Sequence, residues 1–577
     1  MKKKLLPALI VTGLIILVVI IMGITALINK YTPTKKTEDL KEYFNISSDD
    51  EAALIVDNEL SDYKAKIIDK KIYVDYKFVH DSLNSRFYWD ANENVLLYTT
   101  ASDIISAAAD SNSYSVTKQT NDFGYPIVKA TSDSALIALD YVKQYSNITF
   151  KSYDDPARIV ITSKWDEIDS ATVSKSTQVR VKGGIKSPIL KEVKKDDKIT
   201  ILDSGDKWDK VATEDGVIGY IKRKALSESK KTKLTNPDYE EETFTHIKKD
   251  KDICLAWNQV TSQSANSKVP QVISSTTVIH VMSPTWFYLN DNNGNLADIA
   301  SKDYVSYCHS QGIEVWGLFS NFENTDVDAA YVLTHTSTRT TLINQIMSAA
   351  FNYELDGVNI DFENITEAAY GDSYIEFIRE LAIKCHNNGI SLSVDVTVPA
   401  SFNKFFNRSD MANFADYIVI MGYDEHYKGS DAGSVSSIPW VTEGVESTLK
   451  EVPADQIILG MPFYTRIWEL TPKEDDDAVT DTEDQSKYTV ASQVYSMDAA
   501  AAQLATNNAT AALDEESGQN YAEWSVSNKL YKVWLEDSTS LEKRLKLVDD
   551  NKLAGAAFWK LGFENSSVWD TVIKYLD

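Results

Sequence analysis

Residues 355–363 of the 577-residue chain read LDGVNIDFE, and the interpretation of the C-terminal part of the chain starts from this stretch. Its apolar and polar residues alternate with the period of a β-strand. One face carries the apolar side chains of Val358, Ile360 and Phe362. The other face carries Asn359, Asp361 and Glu363. Polar groups on a buried strand are costly to desolvate unless they bond one another or face a cleft. The alternation therefore predicts a buried strand whose polar face lines a functional site, in preference to a solvated edge strand.

Strand-like and helical stretches alternate from about residue 253 to the end of the chain. The strand-like runs are residues 253–259, 277–282, 313–319, 355–362, 391–396, 417–421, 456–461 and 553–558. Eight such runs separated by helices predict an α/β fold of the (β/α)8, or TIM, barrel type, here assigned to residues 231–577. The seventh connection is much longer than the others, so residues about 466–535 are predicted to form an inserted subdomain.

Three stretches, taken together, resemble one known family. The first contains Asp356, Asn359, Asp361 and Glu363 with the spacing DxxNxDxE, the second is MGYD at 421–424, and the third is GAAFW at 555–559. They are similar to the signatures of strands four, six and eight in glycoside hydrolase family 18, the chitinase-like (β/α)8 barrels. The departure from that pattern is Asn359, which stands where the family has a second Asp.

The resemblance implies a substrate-assisted hydrolase, in which the 2-acetamido group of the sugar replaces a carboxylate nucleophile. Glu363 would be the general acid and base, and Asp361 would hold the acetamido N–H. The implied substrate-binding residues are Asn359, Met421, Tyr423, Asp424, Tyr464 and Trp559. Among these, Tyr423 would contact the acetamido oxygen, Asp424 would seat the sugar and Trp559 would stack under its ring. Because Asn359 is uncharged, Asp361 is expected to ionise without a like-charged neighbour and to accept a hydrogen bond from Asn359.

Further stretches narrow the resemblance to one branch of the family. The segments YDEH at 423–426, SIPWV at 437–441 and LGMPFY at 459–464 are most similar to spore-cortex and cell-wall peptidoglycan N-acetylglucosaminidases. Peptidoglycan is therefore the expected substrate and partner. Two alternatives stay open: a chitinase or chito-oligosaccharide hydrolase, and a non-catalytic glycan-binding pseudoenzyme, for which Asn359 is the supporting feature.

The N-terminal segment predicts a membrane anchor. Residues 5–28 contain no charged side chain, and as a helix they would extend about 36 Å, which is enough to cross a bilayer. Lysines at positions 2, 3 and 4 precede this segment, so the positive-inside rule places residues 1–4 in the cytoplasm. Everything after Lys30, beginning with a linker assigned to residues 29–42, is then extracellular, in a single-pass protein of a Gram-positive-like cell envelope. A cleaved signal peptide is the alternative, but no clear A-x-A site is present.

Two small domains are predicted between the linker and the barrel. In residues 43–170, the segments 72–99 and 135–162 align without gaps, which indicates a duplicated α+β stem. The first copy resembles the N-terminal domain of copper amine oxidases, although no histidine cluster suggests copper. Residues 171–230 have short strands and tight turns and resemble a bacterial Src-homology-3-like β-barrel.

Charge and composition limit the partners. The net charge of −27 and a pI near 4.7 argue against nucleic acid. Residues 172–231 are the exception, with about 15 Lys or Arg against 9 Asp or Glu, a balance that suits anionic wall polymers; a spacer without a ligand is the alternative. Cysteines 254, 308 and 385 are expected to be buried thiols. Dispersed histidines and no glycine-rich phosphate loop predict no metal and no cofactor.

Overall fold

The structure is a computed structural model that describes residues 5–274, 276, 278–363, 365, 368–473 and 484–576. The described residues form two compact units. The first contains residues 5–89, 107–114 and 121–241, and the second contains residues 90–106, 115–120 and 242–576. Part of the predicted stem therefore groups with the barrel, namely residues 90–106 and 115–120.

A long apolar helix, α1 (Leu5–Tyr31), begins the described chain. Its segment Leu9–Tyr31 is long and apolar enough to cross a membrane, judged by length and composition, and none of it is buried against the protein. These properties suit a signal anchor as well as a transmembrane span.

The predicted stem is built from short helices and strands. They are α2 (Leu40–Tyr43), β1 (Glu51–Val56), β2 (Glu59–Ile68), β3 (Lys71–Asp75), α3 (Tyr76–Ser82), β4 (Phe87–Asp90), β5 (Val95–Thr99), β6 (Ile104–Ala108), β7 (Ser113–Val116), β8 (Gln119–Asp122), β9 (Val128–Ala130), β10 (Ala135–Ala138), α4 (Leu139–Gln144), β11 (Thr149–Tyr153) and β12 (Arg158–Thr162). One sheet has the strand order β11-β12-β1-β2-β3-β10-β9, and another has the order β4-β5-β6-β7-β8. The two aligned segments have the same order of elements, β3-α3-β4-β5 and β10-α4-β11-β12, as a duplication predicts.

The next segment is an antiparallel sheet. Its strands are β13 (Glu167–Thr172), β14 (Thr177–Arg180), β15 (Ile189–Val193), β16 (Lys198–Asp203), β17 (Trp208–Thr213), β18 (Ile218–Lys222) and β19 (Lys230–Lys233), in the order β15-β14-β18-β17-β16-β13-β19. Ile55 of the first sheet and Val211 of this one belong to the same hydrophobic core. Arg158 and Asp215, both largely buried, form an ion pair of 2.5 Å across the same boundary. The two small domains predicted from sequence thus share one core, and their resemblances to known modules stay predictions.

The second unit contains the barrel. Its elements after residue 250 are β20 (Ile253–Asn258), α5 (Val269–Val272), β21 (Val281–Leu289), β22 (Leu296–Asp298), α6 (Lys302–Ser310), β23 (Glu314–Ser320), α7 (Ala329–Thr334), α8 (Thr336–Tyr353), β24 (Gly357–Asp361), α9 (Ala368–His386), β25 (Ser391–Thr397), α10 (Arg408–Phe414), β26 (Tyr417–Met421), α11 (Ile438–Thr448), β27 (Ile457–Pro462), β28 (Tyr464–Pro472), β29 (Tyr488–Ser496), α12 (Met497–Thr506), β30 (Ala512–Asp514), β31 (Gln519–Val526), β32 (Lys529–Leu535), α13 (Ser538–Asn551), β33 (Gly555–Trp559) and α14 (Trp569–Leu576).

Strands β20, β21, β23 to β27 and β33 pair in parallel, and the sheet closes because β20 pairs with both β21 and β33. The predicted α/β (β/α)8 barrel is confirmed. The second strand, Val281–Leu289, begins four positions later than the predicted run 277–282 and extends beyond its end; residue 277 itself lies outside the described residues.

In residues 355–363, the apolar and the polar side chains lie on opposite sides of the strand, as predicted. Val358, Ile360 and Phe362 pack into the core between the barrel and its helices. Asn359 and Asp361 alternate with them on the inner face of β24, where Gly357 leaves room for an indole: a Cβ at Gly357 would lie 2.5 Å from Trp316. The three cysteines are free and buried, as predicted.

The connection between β27 and β33 carries a second antiparallel sheet. Its strand order is β29-β28-β32-β31-β30. Residues 474–483 of the predicted insertion lie outside the described residues.

Candidate active site

The predicted site residues lie at the C-terminal ends of the barrel strands, where such barrels place their chemistry. Asp361, Met421 and Trp559 are the last residues of β24, β26 and β33. Glu363, Tyr423 and Asp424 follow within three residues of a strand end, and Tyr464 begins β28. The contacts below connect them, except for Met421, which is half-buried and pairs with Thr397 and Gly460 along the barrel wall.

Asn359 is fully buried and is the centre of a hydrogen-bond network inside the barrel. Its Oδ1 accepts from Trp257 Nε1 and from Ser283 Oγ, each at 2.9 Å. Its Nδ2 donates to Asp395 Oδ1 at 2.7 Å. The expectation that Asn359 donates to Asp361 is therefore wrong, because the amide N–H group is directed across to strand β25.

Asp361 lies in the same buried layer, with 8% of its surface exposed. Among the described residues, no donor lies within hydrogen-bond distance of its Oδ1. Burial raises the pKa of Asp361 well above its usual range, and the charges of Asp395, Glu363 and Glu323 act in the same direction. The expectation that Asp361 ionises without a like-charged neighbour is also wrong, since Asp395 replaces the carboxyl that Asn359 lacks.

Asp395 was not predicted from sequence. It is buried on β25, and burial raises its pKa well above the usual range while the Asn359 hydrogen bond opposes that shift. A signal was present: residues 391–397 read SLSVDVT, so Asp395 falls on the polar face of an alternating strand.

Glu363 is exposed at the C-terminal end of the barrel, yet its carboxyl is close enough to protein atoms for burial to raise its pKa. The charges of Asp424 and Glu323 raise that pKa further. Asn321 Nδ2 donates to the backbone oxygen of Glu363 at 2.8 Å and fixes this end of the strand. Glu323, also missed from sequence, accepts from Ser320 Oγ at 2.7 Å. A carboxyl with a raised pKa can stay protonated near neutral pH and act as a general acid.

Asp424 and Tyr464 form a polar contact after strands β26 and β27. Tyr464 Oη donates to Asp424 Oδ1 at 2.5 Å, and Arg466 approaches the same oxygen at 3.5 Å. Asp424 has a positive φ of 60°, a conformation that Asp tolerates better than most residues. Asp424 is thus exposed, with one carboxylate oxygen held in place.

Aromatic side chains surround the buried carboxyls. Trp257 packs edge-to-face against Tyr423 and Trp559, with ring centroids 6.3 and 6.1 Å apart. Tyr423 and Tyr464 make a further edge-to-face contact at 6.3 Å. Rings of this kind offer a face for the apolar side of a sugar. Within the described part of the chain, no group of three or more His, Cys, Asp or Glu side chains is arranged to hold a metal ion.

The barrel, the carboxyls at its strand ends and the surrounding aromatic rings are those of a glycoside hydrolase. Comparison with known families supports this class. Residues 324–564 match the family described as Glycosyl hydrolases family 18. The protein is a glycoside hydrolase.

The chain is similar to the uncharacterized glycosylase YvbX of Bacillus subtilis (strain 168), at 24% identity over 302 residues, which is 49% of this chain and 81% of the relative. It is also 24% identical over 287 residues to the cortical fragment-lytic enzyme of that organism. That match covers 48% of this chain and 63% of the relative, so the chain spans less than two thirds of its length. The solved spore cortex-lytic enzyme SleL of Bacillus cereus shares the fold, with a TM-score of 0.50, 19% identity, and coverage of 57% and 76% of the two chains.

Proposed function

We propose that this protein is a membrane-anchored, extracellular N-acetylglucosaminidase that hydrolyses β-linked N-acetylglucosamine bonds of peptidoglycan with retention of configuration. One observation carries the proposal. Asp361 has a buried carboxylate oxygen, Oδ1, that accepts no hydrogen bond from the described residues, and the exposed acid Glu363 follows two positions later. An unsatisfied buried acceptor is costly. A substrate N–H that reaches it removes this cost.

Glu363 protonates the glycosidic oxygen in this proposal. Its pKa is raised by burial and by the charges of Asp424 and Glu323. Glu363 is therefore protonated in a larger fraction of the molecules at neutral pH than an ordinary Glu is. After the bond breaks, the same carboxylate activates water, as acid and base exchange roles in retaining enzymes.

The nucleophile is the acetamido oxygen of the sugar itself. Asp361 Oδ1 accepts the acetamido N–H, which orients the group and stabilises the positive charge of the oxazolinium ion that forms. Such an intramolecular attack needs orientation rather than a second reactant, and effective molarities of about 10⁵ to 10⁸ M are known for well-oriented groups.

The remaining predicted residues shape the sugar subsite. Tyr423 contacts the acetamido oxygen, while Asp424, held by Tyr464, bonds the sugar hydroxyls. Trp559 stacks under the ring. Met421 lines the wall between them, and Asn359 supports the layer below the sugar.

The substrate and location rest on other observations. A relative that matches 48% of the chain is called a cortical fragment-lytic enzyme, which favours a wall glycan over chitin. Helix α1 has the length and composition of a membrane anchor. The lysine-rich segment 172–231 has exposed side chains, such as Lys182, Lys194 and Lys195, that suit contact with anionic wall polymers.

The test is a parallel digestion of purified peptidoglycan and chitin oligosaccharides by the full-length chain in detergent micelles. After borohydride reduction, mass spectrometry identifies the sugar at each new reducing end. We expect reduced N-acetylglucosamine from peptidoglycan. The Glu363→Gln variant is the inactive control, and Glu446→Gln, which changes an exposed Glu of α11, is the matched active control.

The other outcomes distinguish the alternatives. Cleavage of chitin oligosaccharides alone would make the protein a chitinase-type enzyme. Binding of either glycan without cleavage would make it a pseudoenzyme. Reduced N-acetylmuramic acid at the new ends would contradict the proposed bond specificity.

A further inference from the structure

We propose that Asp395 is a positioning residue for catalysis, which forms with Asp361 a buried carboxyl pair that holds one proton and one negative charge between them. This inference rests on the role proposed for Asp361. It goes beyond the sequence signature, which contains residues of strand β24 and not of β25.

The strand register brings the two carboxyls together. Asn359 pairs with Ser393 and Ile360 pairs with Val394 in the parallel ladder between β24 and β25. Asp361 is the next residue along β24, and Asp395 is the next residue along β25. Both side chains belong to the buried inner layer. The two acids therefore occupy neighbouring positions at the C-terminal end of the barrel.

The orientation of the Asn359 amide is determined by Trp257. An indole N–H can only donate, so the atom that it meets at 2.9 Å must be the amide oxygen. The amide nitrogen is then the atom 2.7 Å from Asp395 Oδ1. Asp395 therefore receives a hydrogen bond that favours its charged form, whereas Asp361 Oδ1 receives none from the described residues.

This asymmetry assigns the charge in the free protein. Two neighbouring buried carboxyls do not both ionise readily, because each charge opposes the other in a medium of low polarity. Burial raises the pKa of both acids. We assign the negative charge to Asp395 and the shared proton to Asp361.

Substrate reverses the assignment. When an acetamido N–H donates to Asp361 Oδ1, the charged form of Asp361 gains the hydrogen bond that it lacks in the free protein. The proton of the pair then resides on Asp395, and the charge resides next to the sugar, where positive charge develops. No proton leaves the buried layer, so substrate binding does not require a net deprotonation.

Among the residues that the structure describes, the charged groups that act on the pair are all acidic. The titratable groups that interact with it come from the ends of β23, β24 and β26 and from α9; they are Glu323, Glu363, Tyr423 and Tyr374. Asp424 acts on Glu363 rather than on the pair. Among the described residues, no positively charged group offsets either Asp361 or Asp395.

The kinetic test is the Asp395→Asn variant of the full-length chain, assayed on peptidoglycan fragments across pH. In the parent, the pair can support catalysis once it has lost its first proton. The hydrogen bond from Asn359 to Asp395 favours this ionisation. In Asp395→Asn, Asp361 must supply the charge without that bond. We expect the acid limb of kcat/KM to move to higher pH by about one unit, the size that defines coupled sites.

A double variant and a control separate this role from a structural one. Asn359→Asp/Asp395→Asn returns a carboxyl to the layer, with Trp257 and Ser283 as donors, and should move the acid limb back toward that of the parent. Ser393→Ala changes a residue of β25 that lies two positions before Asp395, on the same face of the strand. This control variant should leave the acid limb in place. Thermal unfolding of each variant shows whether it folds.

A substrate-free readout keeps this inference separate from the proposed function. Infrared spectra of protein with isotope-labelled aspartate side chains follow the C=O stretch of protonated Asp. The parent pair should lose its two protons in separate steps, and Asp395→Asn should show one step between them. A single step in the parent, or an acid limb that stays or moves to lower pH in Asp395→Asn, would overturn the shared-proton pair. Failure to cleave any glycan, with two steps still seen, would instead refute the proposed function alone.

Discussion

Asp90 accepts hydrogen bonds from the backbone amide and the hydroxyl of Thr336, each at 2.6 Å, although 246 positions separate the two residues. Thr336 begins α8, and His335, which precedes it, makes no side-chain capping bond. The carboxylate of Glu93 accepts from the next amide, that of Ser337, at 3.1 Å. The first amides of a helix lack partners within it and favour negative charge. Residues 90–93 therefore cap the helix that leads into β24, the strand of Asn359 and Asp361.

This cap predicts an effect on stability from a residue far outside the barrel sequence. Asp90→Ala should lower the free energy of unfolding by about 0.5–2 kcal/mol, the range for loss of an N-cap side chain. Chemical denaturation of the full-length chain measures it. Asp62→Ala, which changes an exposed acid on β2, is the control and should leave the midpoint unchanged.

The same stretch of chain makes a second contact with the helices of the barrel. Thr99 Oγ1 donates to Glu376 Oε1 at 2.8 Å in a buried contact on α9. Residues 90–106 therefore belong to the same compact unit as the barrel, although they precede it by more than 130 positions. A denaturation midpoint of Asp90→Ala equal to that of Asp62→Ala would show that the cap adds nothing to this unit.

Loss of the proton donor should slow turnover and spare binding. Glu363→Gln keeps the shape of the side chain, so kcat/KM should fall by about 10²–10⁴-fold, the usual contribution of general acid–base catalysis. Initial rates on peptidoglycan fragments measure the change, and sedimentation with insoluble peptidoglycan measures binding. Activity equal to that of Glu446→Gln would remove Glu363 from the mechanism.

A neighbouring charge should set the alkaline limit of activity. Glu323 raises the pKa of Glu363, and a raised pKa keeps the general acid protonated to higher pH. Removing the charge in Glu323→Gln lowers that pKa, so the alkaline limb of kcat/KM should move to lower pH, by less than about one unit because both side chains are exposed. Glu443→Gln on α11 is the control. An alkaline limb that stays in place would mean that Glu363 is not the group that titrates there.

The sequence was most informative about features that a single strand or helix determines by itself. The alternation in residues 355–363 correctly placed Val358, Ile360 and Phe362 in the outer core and Asn359 and Asp361 on the inner face. The (β/α)8 barrel followed from repeated strand and helix patterns, each of which is local. These features depend on periodicity, which a single segment displays.

Features that depend on the contact of distant segments were not predicted. Asp395 becomes the partner of Asn359 only when β25 lies next to β24, and a one-residue shift of register would turn its side chain outward. The Asp90 cap and the core shared by the two small domains likewise join residues far apart in sequence. For this reason the prediction placed Asn359 on the correct face of its strand but named Asp361, rather than Asp395, as its hydrogen-bond acceptor.

The stereochemistry of the product tests the nucleophile. Attack by the acetamido oxygen followed by attack of water gives two inversions at the anomeric carbon and hence retention. Proton NMR at early times, before mutarotation, should show the β-anomer, and a thiazoline analogue of the oxazoline should inhibit competitively. Early appearance of the α-anomer would refute substrate assistance.

Two buried tryptophans provide a matched pair for testing the network around Asn359. Trp257 Nε1 donates to Asn359 Oδ1 at 2.9 Å, and Trp286 Nε1 donates to Asn266 Oδ1 at 2.8 Å. Both side chains are buried, with 1% and 0% exposure. Replacing either by Phe leaves a buried acceptor with one donor fewer, which costs about 1–3 kcal/mol.

Of the two variants, only Trp257→Phe should change catalysis, because Trp257 bonds the Asn359 amide that donates to Asp395, whereas Trp286 bonds Asn266. We expect both variants to unfold at lower temperature, and we expect kcat/KM to fall by about tenfold in Trp257→Phe alone, as about 1.4 kcal/mol of lost orientation would cause. Thermal unfolding and initial rates of the two variants, measured side by side, check this. Equal losses of activity would mean that the effect is one of general stability, and that the orientation of Asn359 does not support the carboxyl pair.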